Sequence, residues 1–172
     1  MRRLLIAAPL LAFAAPALAQ AAPEPKVNHL IIYGEDECPV SADDTITVCA
    51  EGCDHVSINA AIDAANDGDV IQLAAETYTE EGPIDTDGKA VTIRGVVAGD
   101  ESGTPLSILD GNGTHRVLVC RRGEDARTIL ENLVVTNGHH PAGGNGMANL
   151  DASHPTLRNC TFTLNGGSAA SA

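Results

Sequence analysis

Aromatic side chains are nearly missing. Two Phe, two Tyr and no Trp in 172 residues are too few for the stacking platforms that bind bases or sugar rings. Basic residues are scarce too. Ten Lys and Arg face 23 Asp and Glu, a formal charge of −13, and such a surface repels a phosphate backbone, which argues against nucleic acid as a partner. After the first residues, no stretch is apolar enough to cross a bilayer. What is present is aliphatic and rich in turns. Apolar residues make up 44%, with 17 Gly and nine Pro, so one β-rich domain with an aliphatic core is expected rather than a helical bundle.

The N-terminus reads as an export signal. Arg2 and Arg3 precede an apolar run over 4–15, and Ala17-Leu18-Ala19 supplies the small residues that signal peptidase accepts. The run is shorter than a membrane span and is interrupted by Pro9 and Pro16. Residues 1–19 are therefore expected to be a cleaved signal peptide. Gln20 is not the Cys that lipid attachment needs. The expected locations are the periplasm, the outer-membrane surface or the extracellular space, with no transmembrane segment in the mature chain.

Export permits disulfides. Cys38, Cys49 and Cys53 cluster early, whereas Cys120 and Cys160 lie far apart. One bridge among the first three has three possible pairings, and Cys38 with Cys49 is the expected one. A zinc site on Cys49, Cys53 and His55 is the alternative, though the spacing is not a strong zinc pattern. Cys120 and Cys160 have no activating partner nearby in sequence and read as buried or partly buried thiols rather than nucleophiles.

Residues 20–52 read as an exported segment in which a run from Val27 to Gly34 and Thr45-Ile46-Thr47-Val48-Cys49 form a bridge-stapled hairpin around an acidic loop. Ser57 caps a short helix with Ile58, Ala61, Ile62 and Ala65 on one face, stopped by Asn66-Asp67-Gly68-Asp69. From Val70 onward, brief apolar runs alternate with turn signals such as Asp87-Gly88, Asn112-Gly113, Asn137-Gly138 and Asn165-Gly166.

An internal repeat orders these runs. Leu130-Glu131-Asn132-Leu133-Val134-Val135 aligns with Leu157-Arg158-Asn159-Cys160-Thr161-Phe162, while Asn137-Gly138 meets Asn165-Gly166 with a one-residue slip. Repeats of this length call for stacked units. In a coiled parallel sheet Leu133 stacks on Cys160, Val135 on Phe162, and Asn132 with Asn159 forms an amide ladder at a bend. Two hairpins of an antiparallel sheet are the competing explanation.

The stretch from Cys53-Asp54-His55 through Asp67-Gly68-Asp69-Val70-Ile71-Gln72-Leu73 to Phe162-Thr163-Leu164-Asn165 resembles the right-handed parallel β-helix repeat family, the pectin-lyase-like superfamily. The resemblance implies an all-β, right-handed parallel β-helix over 53–166, with a short N-terminal capping α-helix and a flexible tail over 167–172. It also places Thr77-Tyr78-Thr79-Glu80 at the turn after the first rung. Gly143-Gly144-Asn145-Gly146-Met147 and Phe162-Thr163-Leu164-Asn165 are similar to the Gly-Gly-x and Phe-x-x-Asn signatures of polymorphic outer-membrane proteins. There is room for roughly four rungs, so the solenoid is expected to be incomplete. Its exposed terminal rung then pairs with missing sequence or another chain.

Chemistry is less legible. Lyases of this superfamily use a calcium-binding carboxylate set and an Arg base, and the candidates here are Asp110, Glu124, Asp125, Glu131 and Asp151 with Arg94, Arg116, Arg121 and Arg158. None sits in a lyase motif, so catalytic residues stay unknown. His139-His140 reads as an exposed connection rather than a metal site. Arg121-Arg122 reads as a solvated turn balanced by Glu124 and Asp125, and Asn112-Gly113-Thr114 as a tight turn rather than a glycosylation site. The expected role is noncatalytic surface display or association with polysaccharide or a cell-surface component, without a cofactor. A calcium-dependent pectate-type lyase is the alternative, and only that alternative brings in calcium.

Overall fold

A computed structural model describes residues 44–166. Ten strands and one helix follow in chain order: β1 Thr45–Val48, α1 Ile58–Ala64, β2 Val70–Leu73, β3 Thr77–Tyr78, β4 Ile84–Asp85, β5 Thr92–Arg94, β6 Ser107–Asp110, β7 Leu118–Cys120, β8 Ile129–Thr136, β9 Met147–Asn149 and β10 Thr156–Thr163. Every pairing between these strands is parallel. Parallel neighbours need a crossover between them, and the crossovers wind the chain into a β-solenoid of about four turns. The antiparallel-hairpin alternative is thereby excluded for the described repeat.

Three faces result. The first stacks β1, β2, β5 and the starts of β8 and β10; the second stacks β3, β6 and the ends of β8 and β10; the third stacks β4, β7 and β9. Inward positions alternate with outward ones, as period-two strands require. Ile71, Ile93 and Leu130 are wholly buried on the first face, as are Leu109, Leu133 and Val135 on the second. The third face contributes Ile84, Leu118 and, one turn higher, half-buried Met147. Cys160 stacks on Leu133 and Phe162 on Val135, as the repeat predicts. Thr77–Tyr78 departs from expectation. It is a strand paired with β6 rather than a turn, and the Tyr78 hydroxyl donates to the Val48 carbonyl at 2.8 Å.

The lower end is sealed. Ser57 caps α1 by accepting from the Ala60 N–H, and Ile58, Ala61 and Ile62 are buried beneath β1, β2 and β4. The expected Cys38–Cys49 bridge is replaced by Cys49–Cys53, which takes the Cys49 sulfur four residues along the chain; Cys38 lies outside the described residues. This bridge also supersedes a zinc site on the same two thiolates. The loop folds back along β1: the Cys49 N–H donates to the His55 carbonyl, and the His55 N–H donates to the Thr47 carbonyl, each at 3.1 Å. Asp54 takes the Thr47 N–H at 2.8 Å and its hydroxyl at 2.7 Å, and these bonds hold its carboxyl below the usual range. The free edge of β1 is thus occupied. Thr45–Val48 pairs with β2 and belongs to the solenoid, so the parallel array begins before the expected boundary at residue 53. The partner strand of the expected hairpin, from Val27 to Gly34, lies outside the described residues.

Corners carry stacked polar side chains. Between the first and second faces, Asn132 and Asn159 adopt left-handed backbone, φ 60° and 47°, which Asn tolerates better than other non-glycine residues. Asn159 Nδ2 donates to Asn132 Oδ1 at 3.0 Å, the expected ladder. One turn below sits Gly95, where a Cβ would lie 2.1 Å from the Asn132 carbonyl oxygen. At the next corner, Asn137 is also left-handed at φ 54° and donates to Asp110 at 3.1 Å. Above it, Leu164 takes the same conformation at φ 54°. Asn165, one position further on, reaches back to donate to the Val135 carbonyl. This accounts for the slip between the two Asn-Gly pairs. Gly146 packs against both the Phe162 ring and the Asn165 amide, leaving no room for a Cβ, so the two glycine- and asparagine-bearing motifs form one contact.

Two substitutions test these corners. Gly95→Ala forces adjacent turns apart and is expected to cost about 3 kcal/mol in urea unfolding. Leu164→Asn relieves a strained conformation at a side chain that is 74% exposed, and is expected to stabilise by about 1 kcal/mol in the same measurement.

Candidate functional site

A groove of about 590 Å³ lies along the corner between the first and second faces. Its floor is Val48, Leu73, Ala74 and Gly95, and Val96 and Val97 form one wall. That wall exists because the chain leaves the solenoid after Gly95 as a small hairpin, with Val97 bridged antiparallel to Pro105. At its turn, the Gly103 carbonyl accepts from Asn159 Nδ2 at 2.9 Å. On the opposite rim, the Gln72 side chain donates to the carbonyls of Leu73 and Arg94, each at 3.1 Å.

Beside the groove, a charged column runs up the outer side of the first face. The register places Arg94 under Glu131 and Glu131 under Arg158. Glu131 pairs with Arg94 below and lies 3.7 Å from Arg158 above. Glu131 is largely covered while both Arg side chains stay exposed. The column therefore presents two guanidinium groups bracketing one carboxylate. Three of the nine acid and base candidates come together here. The sequence names all three but does not group them. The repeat that aligns Asn132 with Asn159 also aligns Glu131 with Arg158, and that was the available signal.

The other candidates are dispersed. Arg121 pairs with Asp85 at 2.8 Å and Arg122 with Asp87 at 2.6 Å, which corrects the expected balance with Glu124 and Asp125. Those partners lie one turn below, and pairing across turns is shorter than pairing along the loop. Asp125 pairs instead with Arg127. Arg116 donates to the Gly143 carbonyl at 3.1 Å, Asp110 serves the Asn137 corner, and Asp151 sits exposed in a left-handed turn. The His139 N–H donates to the His115 carbonyl, and the His140 ring accepts from the Ala142 N–H. The Asn112 N–H donates to Asp110 in a left-handed turn. Among the described residues, no group of three or more His, Cys, Asp or Glu converges to hold a metal ion.

Glu124, like Asp69, is 2% exposed, one of two buried carboxylates among the described residues. It closes the third corner, where Thr86, Glu124 and Ser153 stack on successive turns. Thr86 Oγ1 and the Gly88 N–H donate to one carboxylate oxygen at 2.9 and 3.1 Å, and Ser153 Oγ and the Arg122 N–H donate to the other at 2.7 and 2.9 Å. Burial alone raises the carboxyl. The donors, Ser153 and the Arg122 N–H foremost, outweigh it and hold the group at about 2. Four donors leave it no capacity for a ligand, so its role is structural. Cys120 and Cys160 are free, and burial pushes the Cys120 thiol up to about 11 and the Cys160 thiol upward. Neither is a thiolate nucleophile at neutral pH.

Comparison of the chain with protein-family models, curated proteins and solved structures gives no match.

Glu124 ionisation should be visible in the stability curve. A carboxyl held below its unfolded value stabilises fully above the ordinary carboxylate range, and that stabilisation disappears as pH falls toward about 2. Glu124→Gln is expected to lose on the order of 3 kcal/mol at pH 7. It should also show a flatter stability decline between pH about 4.5 and about 2 than the parent chain in urea titrations.

Proposed function

We propose that the chain is an exported, noncatalytic solenoid module that associates with polysaccharide or another cell-surface component along the grooved corner of its first face. The observation carrying this reading is the Arg94–Glu131–Arg158 column. A lyase base must be free to meet the proton beside a uronate carboxyl, and a calcium-dependent lyase needs converging carboxylates. Here Glu131, beside the groove, is engaged by the two arginines that flank it, and Asp54 near the other rim is engaged by Thr47. Of the remaining candidates, Arg116, Arg121, Asp110 and Glu124 hold turns together elsewhere. Two bracketing guanidinium groups suit carboxylate- or sulfate-bearing sugars on an otherwise acidic surface, because Arg presents paired donors in a fixed fork. Export is supported by the small-residue site at Ala17 and Ala19 and by a bridge, Cys49–Cys53, of the kind that persists in oxidising compartments.

The purified chain, incubated with pectate and alginate with and without calcium, is expected to give no ultraviolet-absorbing unsaturated product. In affinity electrophoresis through the same polymers it is expected to be retarded, and Arg94→Ala with Arg158→Ala should weaken that retardation at least about tenfold, the equivalent of one lost charge-assisted contact. A calcium-dependent rise in absorbance, abolished by either Arg substitution, would establish the lyase instead. Absence of retardation by any acidic or neutral polysaccharide removes carbohydrate as the ligand.

A further inference from the structure

The bond between Cys49 and Cys53 closes a tight crossover. Val48 and His55 are joined by a parallel bridge, yet only six residues separate them, where parallel strands need a connection of about a dozen or more. Gly52, at φ 84°, makes the reversal. Hydrogen bonds hold the base of the loop, between Thr47 and Cys49 on one side and Asp54 and His55 on the other. The tip is held differently. Among the described residues nothing hydrogen-bonds to Gly52 or Cys53, and the Ala50 N–H has one exposed contact, the Glu76 carboxylate at 2.9 Å. The sulfur–sulfur bond is therefore the tie that keeps the tip in place. A bridge with a sequence separation of 4 constrains the unfolded chain little, so its effect is local.

The two sulfurs differ in access. Cys49 is 7% exposed, whereas Cys53 is half-buried and lines the groove beside Thr47, Val48 and Gln72. An incoming thiolate meets Cys53 first. The Glu51 carbonyl oxygen lies 3.0 Å from Cys49 Sγ, placed to accept from the Cys49 thiol once the bond is cut. Charge selects among thiols as well. No Lys or Arg occurs from Asp44 to Gly88, while Glu51 and Asp54 lie in the loop and Glu76 contacts it. These carboxylates repel an anionic thiol and attract a cationic one.

We propose that Cys53 is a thiol-exchange site selective for cationic thiols, and that the Cys49–Cys53 bond is a redox latch on the lower end of the groove. The thiolate attacks Cys53 Sγ: its sulfur bonds to Cys53, the Cys49–Cys53 bond breaks, and the electron pair leaves on Cys49, which takes a proton from water. A second thiolate attacks the added sulfur, forming the small-molecule disulfide and releasing Cys53 as a thiolate. Two thiols are oxidised and the bridge is reduced by two electrons. With the tie cut, six residues no longer hold the parallel crossover, and Cys53 leaves the groove wall. The latch works whatever ligand the groove takes, so it is independent of the polysaccharide reading.

The oxidised full chain is exposed briefly to cysteamine or to mercaptoethanesulfonate, trapped with N-ethylmaleimide at acid pH, and mapped by fragmentation mass spectrometry. The added thiol is expected on Cys53 and the maleimide on Cys49, in at least about tenfold excess over the reverse arrangement. Corrected for thiolate fraction, cysteamine should react at least about fivefold faster at low salt, a difference that added salt narrows. Glu51→Gln with Glu76→Gln should narrow it too. Hydrogen exchange on the reduced, unsubstituted chain should show the Cys49 and His55 amides losing protection at least about tenfold while Leu130 and Leu133 keep theirs. Predominant attack at Cys49, capture of Cys49 by Cys38, equal rates for the two thiols at low salt, or unchanged protection after reduction overturns the proposal. So does a bond that reacts no faster than the chain unfolds, which would make it a structural staple.

Discussion

Parallel backbone hydrogen bonding between successive turns, in strict register, is the constraint on which everything else in this molecule depends. Each turn buries its apolar residues only because the turn beneath it points the same residues inward at the same height. A slip of one residue would send Leu130, Leu133 and Val135 to the solvent side. The core is accordingly narrow and almost wholly aliphatic, with Tyr78 its one buried aromatic among the described residues. Stability of this kind is nearest-neighbour in character: each turn depends on the one below it and supports the one above.

Register is pinned at the corners, where strands stop and backbone groups lose their ladder partners. Each of the three corners uses a different polar stack. Asn132 and Asn159 link amide to amide, Asp110 and Asn137 link carboxylate to amide, and Thr86, Glu124 and Ser153 place one ionised carboxylate between two hydroxyls. No buried side-chain nitrogen or oxygen among the described residues lacks a partner. Glycines take the positions where adjacent turns come closest, as Gly95 does beneath Asn132. The bend residues, Asn132, Asn137 and Asn159 among them, adopt the left-handed conformation that Asn tolerates.

Much of this was legible in the sequence, because a stacked fold writes its own contacts as repetition. The pairing of Leu133 with Cys160 and of Val135 with Phe162 follows from aligning two segments of one chain, and so does the Asn132–Asn159 ladder. What was hidden is what breaks the repeat. The hairpin between Gly95 and Leu106 lengthens one turn and disguises the pairing of β5 with β8. Leu164 holds a bend position that the pattern reserves for Asn. The Cys49–Cys53 bridge is hidden as well, because spacing does not reveal that the short loop lies along β1. Glu124 reads from sequence as a candidate calcium-binding carboxylate, since a carboxylate in a turn looks alike whether it faces water or four donors. The site chemistry was the least legible part. Opposite charges became a column only once the register had been set.

The Cys49–Cys53 bridge spans four residues, so its closure requires no distant part of the chain to be in place. The lower end is thus fastened covalently within one short stretch of chain that lies along β1, whereas β10 is held through its parallel pairing with β8, so reduction of the bridge is felt first at the edge of β1.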